Sequence, residues 1–372
     1  MKRVSIFLLT VAFLAFVTAC TGFSDGQRSD ELQQLIDQVR SSSKTPGLAM
    51  AVFSSDSVYF AGVSGVRKLG GDDALQVSDR FHLGSCTKAI LAFTAAALVE
   101  EGAIDWDDKF FDMYPELMSI AGPDYHDITL RQLLSHRAGM VSKKTELYQI
   151  MYPNMGSDTT IDRTELFAWA WNREKYTGGF QYSNTGYVMA AHMLEKATGR
   201  DWKSLVQEKV FGPLEVDGHF DWPAKGDVNQ PWGHYSDPAT GAFAPHDPND
   251  VYYLSRLSLD PAGDINMSMQ NYIKFLQDNL KGCAKSGGIL SEESYRLIHS
   301  GDEYGFGWGI VDSPRHRRIS THSGSAGTFF CKAILLKDFD LGMLIFMNAA
   351  SGKSEAQLAP LQADVLEMFV KD

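Results

Sequence analysis

The chain has 372 residues, is 44% hydrophobic and 22% charged, and carries a formal net charge of -12 at pH 7. These values suit a globular enzyme of one large domain or two lobes and exclude a disordered or fibrous chain. The acidic balance excludes a basic footprint for nucleic acid, and the one cationic cluster, Arg315-His316-Arg317-Arg318, reads as a solvated hairpin tip.

The N-terminus reads as an address. Met1-Lys2-Arg3 is positive and residues 4–17 are apolar. That run is shorter than the roughly 20 residues of a spanning helix, so a signal peptide is expected rather than a membrane span. The end of the run, Val17-Thr18-Ala19-Cys20, resembles a bacterial lipobox. The resemblance implies a lipoprotein whose signal ends before Cys20, with Cys20 lipidated and the protein tethered at the cell envelope by its acyl chains. Thr21 in place of Asp implies the outer membrane, facing the periplasm, in a Gram-negative source. An ordinary signal peptide with Cys20 incidental is the alternative. Residues 21–29 are polar and Gly/Ser-rich, as a tether should be.

A helix is expected from Asp30, a capping residue, with Leu32, Leu35, Ile36 and Val39 at helical spacing and Pro46 as its stop. Apolar strands follow at 48–53 and 58–63, separated by the turn-prone Ser54-Ser55-Asp56. The middle of the chain is helix-rich, with helices expected over 87–101, 130–135, 164–171, 187–198, 202–210 and 269–280. Irregular segments at 139–162 and 217–260 read as pocket walls or lids. Strands return at 307–311, 319–322, 329–336 and 341–348, and a last helix covers 354–370. Strands at both ends with helices between predict an α+β fold, in which one antiparallel sheet is built from the two termini. The expected division is an α/β lobe of 30–78 and 290–372 with a helical lobe of 79–289 inserted.

Besides Cys20 the cysteines are Cys86, Cys283 and Cys331, whose spacings suit no zinc site. No metal or cofactor is expected. Cys86 reads as a small apolar filler, and a Cys283–Cys331 bridge is left open.

Chemistry concentrates at Phe81-His82-Leu83-Gly84-Ser85-Cys86-Thr87-Lys88, which opens a helix. Positions i and i+3 share a helix face, so Lys88 reaches the Ser85 hydroxyl. The first turn also offers unpaired N–H groups to developing negative charge. Serine needs such a partner to act as a nucleophile near neutral pH. Ser-x-x-Lys alone is a weak signal, since Ser41-Ser42-Ser43-Lys44 repeats it. Tyr182-Ser183-Asn184 has a rival in Tyr152-Pro153-Asn154, and His322-Ser323-Gly324 has one in Lys285-Ser286-Gly287. Order and rigid context favour the Ser85, Tyr182 and His322 set.

These three motifs resemble those of the serine β-lactamase and penicillin-recognising superfamily, in the branch of class C β-lactamases, D-alanyl-D-alanine carboxypeptidases and esterases. The flanks Leu133-Leu134-Ser135-His136, Phe211-Gly212-Pro213-Leu214, Pro261-Ala262-Gly263 and Tyr304-Gly305-Phe306-Gly307-Trp308 agree with it, and the likeness spans about residues 45–350. The resemblance implies an acyl-enzyme on Ser85, with Lys88 and Tyr182 sharing proton transfer; which is the base stays open. It further implies that Asn184 holds the substrate or the lysine. Ser85 and Ser325 would supply the oxyanion-hole N–H groups, and His322, Ser323 and Gly324 a substrate-binding edge. The branch's class C β-lactamases carry Lys in the third motif where this chain has His322, which argues against strong β-lactamase activity. A peptide-like or other small-molecule substrate is expected, with D-amino-acid peptides of cell-wall origin leading, then esters, then weak β-lactam hydrolysis. The reading from another class is a non-catalytic penicillin-binding-like receptor.

Overall fold

The computed structural model describes residues 25–140, 163–249, 257–284 and 287–370. Cys20, the expected signal and the rivals Tyr152-Pro153-Asn154 and Lys285-Ser286-Gly287 lie wholly or partly outside these residues. The strands are β1 (Gly47–Phe53), β2 (Val58–Gly65), β3 (Arg80–His82), β4 (Gly218–Phe220), β5 (His234–Ser236), β6 (Phe243–Pro245), β7 (Ile265–Ser268), β8 (Gly309–Ser313), β9 (Arg317–Ser325), β10 (Phe330–Leu336), β11 (Leu341–Met347) and β12 (Ala349–Ala350).

Six of them form one sheet in the order β2-β1-β11-β10-β9-β8. Every pairing in it is antiparallel. The sheet joins the two ends of the chain as expected. β1, β10 and β11 are buried along their whole length. They read as continuous apolar runs because both faces of the sheet are covered. Alternate side chains divide between two cores. Ala49, Ala51, Phe53, Ala333 and Leu344 join the core shared with the central helices. Leu48, Met50, Val52, Ile334 and Met343 pack with Leu32, Ile36, Leu358, Leu361 and Val365 of the terminal helices.

The first helix spans Asp25–Ser43, so it takes in residues 25–29 of the expected tether. Helix-compatible Gln27 and Arg28 outweigh the single Gly26 there, and the apolar stripe of the following turns docks the helix on the sheet. The helix Thr87–Glu100 has buried residues all round because it runs through the middle of the molecule. The expected helix 202–210 is α-helical over Trp202–Val206 and widens to a π-helical turn over Gln207–Phe211. Two three-stranded sheets were not foreseen, β3-β7-β4 and β12-β5-β6, because their strands are too short for any period to register. Cys86, Cys283 and Cys331 are free thiols, which closes the question of a Cys283–Cys331 bridge. The Arg315–Arg318 cluster sits at the exposed turn between β8 and β9, as expected.

Candidate active site

Ser85 lies in a 3-10 turn, Gly84–Cys86, that leads straight into the helix Thr87–Glu100. The turn is anchored from both sides. Leu83 N–H donates to Ile265 O at 2.8 Å, and Ile265 N–H donates to Thr87 Oγ1 at 3.2 Å. Lys88 is fully buried. Its Nζ donates to Ser85 Oγ at 3.1 Å and to Ala262 O at 2.7 Å, so the amine is held against the nucleophile from behind.

The second motif arrives on the N-terminus of the helix Asn184–Thr198, three residues earlier than the apolar spacing predicts. Ser183 caps it, accepting from Gly186 N–H at 3.2 Å. Tyr182 therefore sits immediately before a rigid helix. The Lys88 ammonium position is 4.9 Å from the centre of the Tyr182 ring. Burial pushes the Tyr182 phenol well above the usual tyrosine range, and a hydrogen bond with Ser85 only partly offsets this. The resting enzyme therefore holds a neutral phenol at neutral pH. Asn184 Oδ1 is buried without a hydrogen-bond partner and its residue lines the cavity, which leaves an unsatisfied acceptor beside the nucleophile.

His136, which closes the flank Leu133–His136 noted in the sequence, positions this motif. Its Nδ1 accepts from Ser183 N–H at 3.1 Å and its carbonyl accepts from Gln181 N–H at 2.8 Å. Its ring lies 4.3 Å from that of Tyr182. Burial first, and the positive charge of Lys88 second, hold His136 well below the usual histidine range, so it is a neutral spacer.

In the third motif, successive residues of β9 face opposite sides of the sheet. His322 is opposite Ala333 and turns toward the helical lobe, where its Nε2 lies 2.8 Å from Tyr304 Oη. His322 Nδ1 lies 2.9 Å from Ser323 O, an acceptor, so Nδ1 carries a proton and donates to it. Ser323 is opposite Lys332 and faces the other way. Its hydroxyl donates to Glu355 Oε2 at 2.6 Å and accepts from Lys332 Nζ at 2.9 Å. Ser323 lines the cavity, but its hydroxyl proton is already engaged by Glu355. Arg317 begins β9 at the far end of the strand from Ser325, and Arg318 bonds to Gly301 O.

Two glycines bring the first and third motifs together. Gly84 has a φ of +52°, and a Cβ on it would lie 2.5 Å from Ser325 N. A Cβ on Gly324 would lie 1.9 Å from Leu83 O. The backbone of Ser325 therefore abuts the turn that carries Ser85, as a two-amide oxyanion hole requires. Ser85, Tyr182, Asn184, His322, Ser323, Gly324 and Ser325 share one cavity of about 320 Å³. The rival Ser41 and Lys44 end the first helix, where Lys44 N–H simply turns back to Ser41 O at 3.2 Å. The sequence reading missed Tyr304, His136, Lys332 and Glu355. Tyr304 and His136 stand in the flanks already noted, whereas Lys332 and Glu355 become visible only through strand register.

Comparison with known proteins gives the chain's family and its likeness in fold. The Beta-lactamase family model matches residues 32–367. Penicillin-binding protein 4* of Bacillus subtilis is 25% identical over 314 residues, which cover 79% of this chain and 66% of that protein. The chain thus spans just under two thirds of that relative. An octameric penicillin-binding protein homologue from Pyrococcus abyssi superposes with a TM-score of 0.74 at 21% identity, over 92% of this chain and 79% of that one. The D-amino acid amidase of Ochrobactrum anthropi SV3 superposes with a TM-score of 0.73 at 18% identity, over 91% of this chain and 99% of that one. With the family model covering nearly the whole described fold, the chain belongs to the Beta-lactamase family, within the superfamily of serine β-lactamases and penicillin-recognising proteins.

Proposed function

We propose that the protein is a serine hydrolase that forms an acyl-enzyme on Ser85 and acts on amides of D-amino acids or D-amino-acid peptides. The observation that carries the reading is the buried Lys88 Nζ at 3.1 Å from Ser85 Oγ. Once the Lys88 ammonium has given up a proton, its amine takes the hydroxyl proton as Oγ bonds to the substrate carbonyl carbon. The N–H groups of Ser85 and Ser325 stabilise the oxyanion. As the carbon–nitrogen bond breaks, the proton passes to the departing amine through Tyr182, whose neutral phenol suits a relay better than a resting base. Water then attacks the ester, gives up a proton to the Lys88–Tyr182 pair and restores the Ser85 hydroxyl.

His322, engaged by Tyr304 and by Ser323 O at its two ring nitrogens, leaves the third motif without the permanent cation that a lysine would offer a carboxylate. That favours amides and esters over β-lactams and carboxypeptidase substrates. The amidase likeness in fold agrees with it. A lipid anchor at Cys20 belongs to the same proposal and rests on the N-terminal sequence alone. Release of amine from D-amino-acid p-nitroanilides, measured against the L-enantiomers and N-acetylated forms, tests the substrate class. Turnover of L-substrates alone sinks the D-specific reading. Globomycin-sensitive incorporation of labelled palmitate, abolished by Cys20→Ser, tests the anchor.

A further inference from the structure

The wall of the cavity beside Gly84 carries polar groups for which acyl transfer has no use. His82 ends β3, and its Nδ1 accepts from Gly84 N–H at 3.1 Å, so Nε2 carries the proton. The side chain is 2% exposed and its ring stacks on Trp222 at 4.2 Å. The Nε2 atom has no hydrogen-bond partner. Asp264 Oδ1 lies 3.7 Å from it, beyond hydrogen-bond reach. His82, Trp222, Asp260 and Asp264 all line the same cavity as Ser85.

The charges behind this wall do not balance. Arg163 bonds Glu195 and Asp260 at 2.7 and 3.1 Å. Lys203 lies 3.6 Å from Asp260 and 3.7 Å from Asp264. Three carboxylates thus face two permanent cations, with His192 Nδ1 3.5 Å from Glu195 on the side away from the cavity lining. Among the described residues, no Lys or Arg lines the cavity. A substrate carboxylate entering here would meet like charge, whereas an ammonium would complete the cluster.

We propose that Asp264, with the unpartnered Nε2–H of His82 and the face of Trp222, forms a subsite for a protonated amine beside the nucleophile, so that unblocked aminoacyl amides are selected over N-acylated or carboxylate-ended ones. The ammonium donates to Asp264 Oδ1 in a charge-assisted bond. His82, stacked on Trp222 and held by Gly84 N–H, walls the subsite on the side of the nucleophile turn. This inference rests on reading the cavity as the acyl-transfer site. It adds that the charge of the substrate is sensed by Asp264.

The test is calorimetric binding to the Ser85→Ala protein at pH 6.5, where an α-amine is protonated. D-alaninamide, N-acetyl-D-alaninamide and N-acetyl-D-alanine are the probes. D-alaninamide is expected to bind about 10-fold more tightly than either of the others, and Asp264→Asn in the same background to bring the three within roughly 3-fold. Melting temperature is followed in parallel. Should Asp264→Asn fail to fold, Lys203→Met removes the cation that competes for Asp264 and is expected to tighten D-alaninamide binding severalfold without affecting the acetylated ligands. Equal affinities, tightest binding of the carboxylate or no measurable D-alaninamide binding would each overturn the subsite. Binding to a protein without Ser85 does not depend on which residue is acylated, so failure here is distinct from failure of the proposed chemistry.

Discussion

Tyr304 Oη and His322 Nε2 share a hydrogen bond of 2.8 Å, and this one bond occupies the ring nitrogen of the third motif that faces the helical lobe. The histidine has a protein partner at each ring nitrogen, so it has no N–H left for a substrate carboxylate. His322→Lys restores a cation at this position with the Tyr304 oxygen available to accept from it. Acylation by benzylpenicillin, followed by intact mass, is expected to rise by about 10-fold or more in this variant. An unchanged rate would mean that the cavity rejects carboxylated lactams for reasons of shape.

Ser85 and Ser41 stand in the same four-residue pattern but in different surroundings. Ser85→Ala is expected to reduce kcat by at least about 10³-fold on every acyl substrate, with an unchanged melting temperature. Ser41→Ala should leave kcat within about 2-fold, since exposed sites away from such features are usually neutral. Steady-state kinetics of the two variants side by side checks both expectations.

The packing of Gly324 against the nucleophile turn predicts a combined loss of stability and activity. A Cβ there would stand 1.9 Å from Leu83 O and 2.9 Å from Cys86 N, both backbone atoms. Gly324→Ala must therefore push β9 away from the turn. A cost of about 2–4 kcal/mol in denaturant unfolding is expected, together with a fall in kcat of about 10²-fold as the Ser325 amide leaves the oxyanion site. A wild-type stability would show that the two motifs are not in contact.

Burial also sets the alkaline limit of the fold. Tyr182, Tyr187, Tyr272, Tyr295 and Tyr304 are all held above the usual phenol range, chiefly by burial. In the unfolded chain they ionise near pH 10. Below that value both states keep their phenol protons, and the tyrosines leave stability independent of pH. Above it the unfolded chain loses protons that the folded one keeps, so stability falls as pH rises. The melting temperature is expected to drop steeply between pH 10 and 11, with a smaller slope in Tyr182→Phe. A flat profile through pH 11 would contradict the burial of these phenols.

Much of this was legible in the sequence, for physical reasons that differ between elements. The strands β1, β10 and β11 announce themselves because burial on both faces makes them unbroken apolar runs. Ser85 with Lys88, Tyr182 with Asn184, and His322 with Ser325 each lie close in sequence, so local spacing reports their proximity. His82 and Asp264 are brought together by β3 and β7, strands of three and four residues that leave no periodic trace. Lys332 and Glu355 reach Ser323 through strand register and the docking of the last helix, information spread over distant segments. Capping misled the reading of the helix Asn184–Thr198, because Ser183 starts it before the first apolar residue of the stripe.

The most direct measurement of the central claim is rapid-quench intact mass during turnover of a D-alanine thioester, followed by peptide mapping. A transient aminoacyl adduct is expected on the peptide that contains Ser85, absent in Ser85→Ala and accumulating in Tyr182→Phe. Turnover with no adduct at Ser85, or an adduct at another residue that persists in Ser85→Ala, would contradict it.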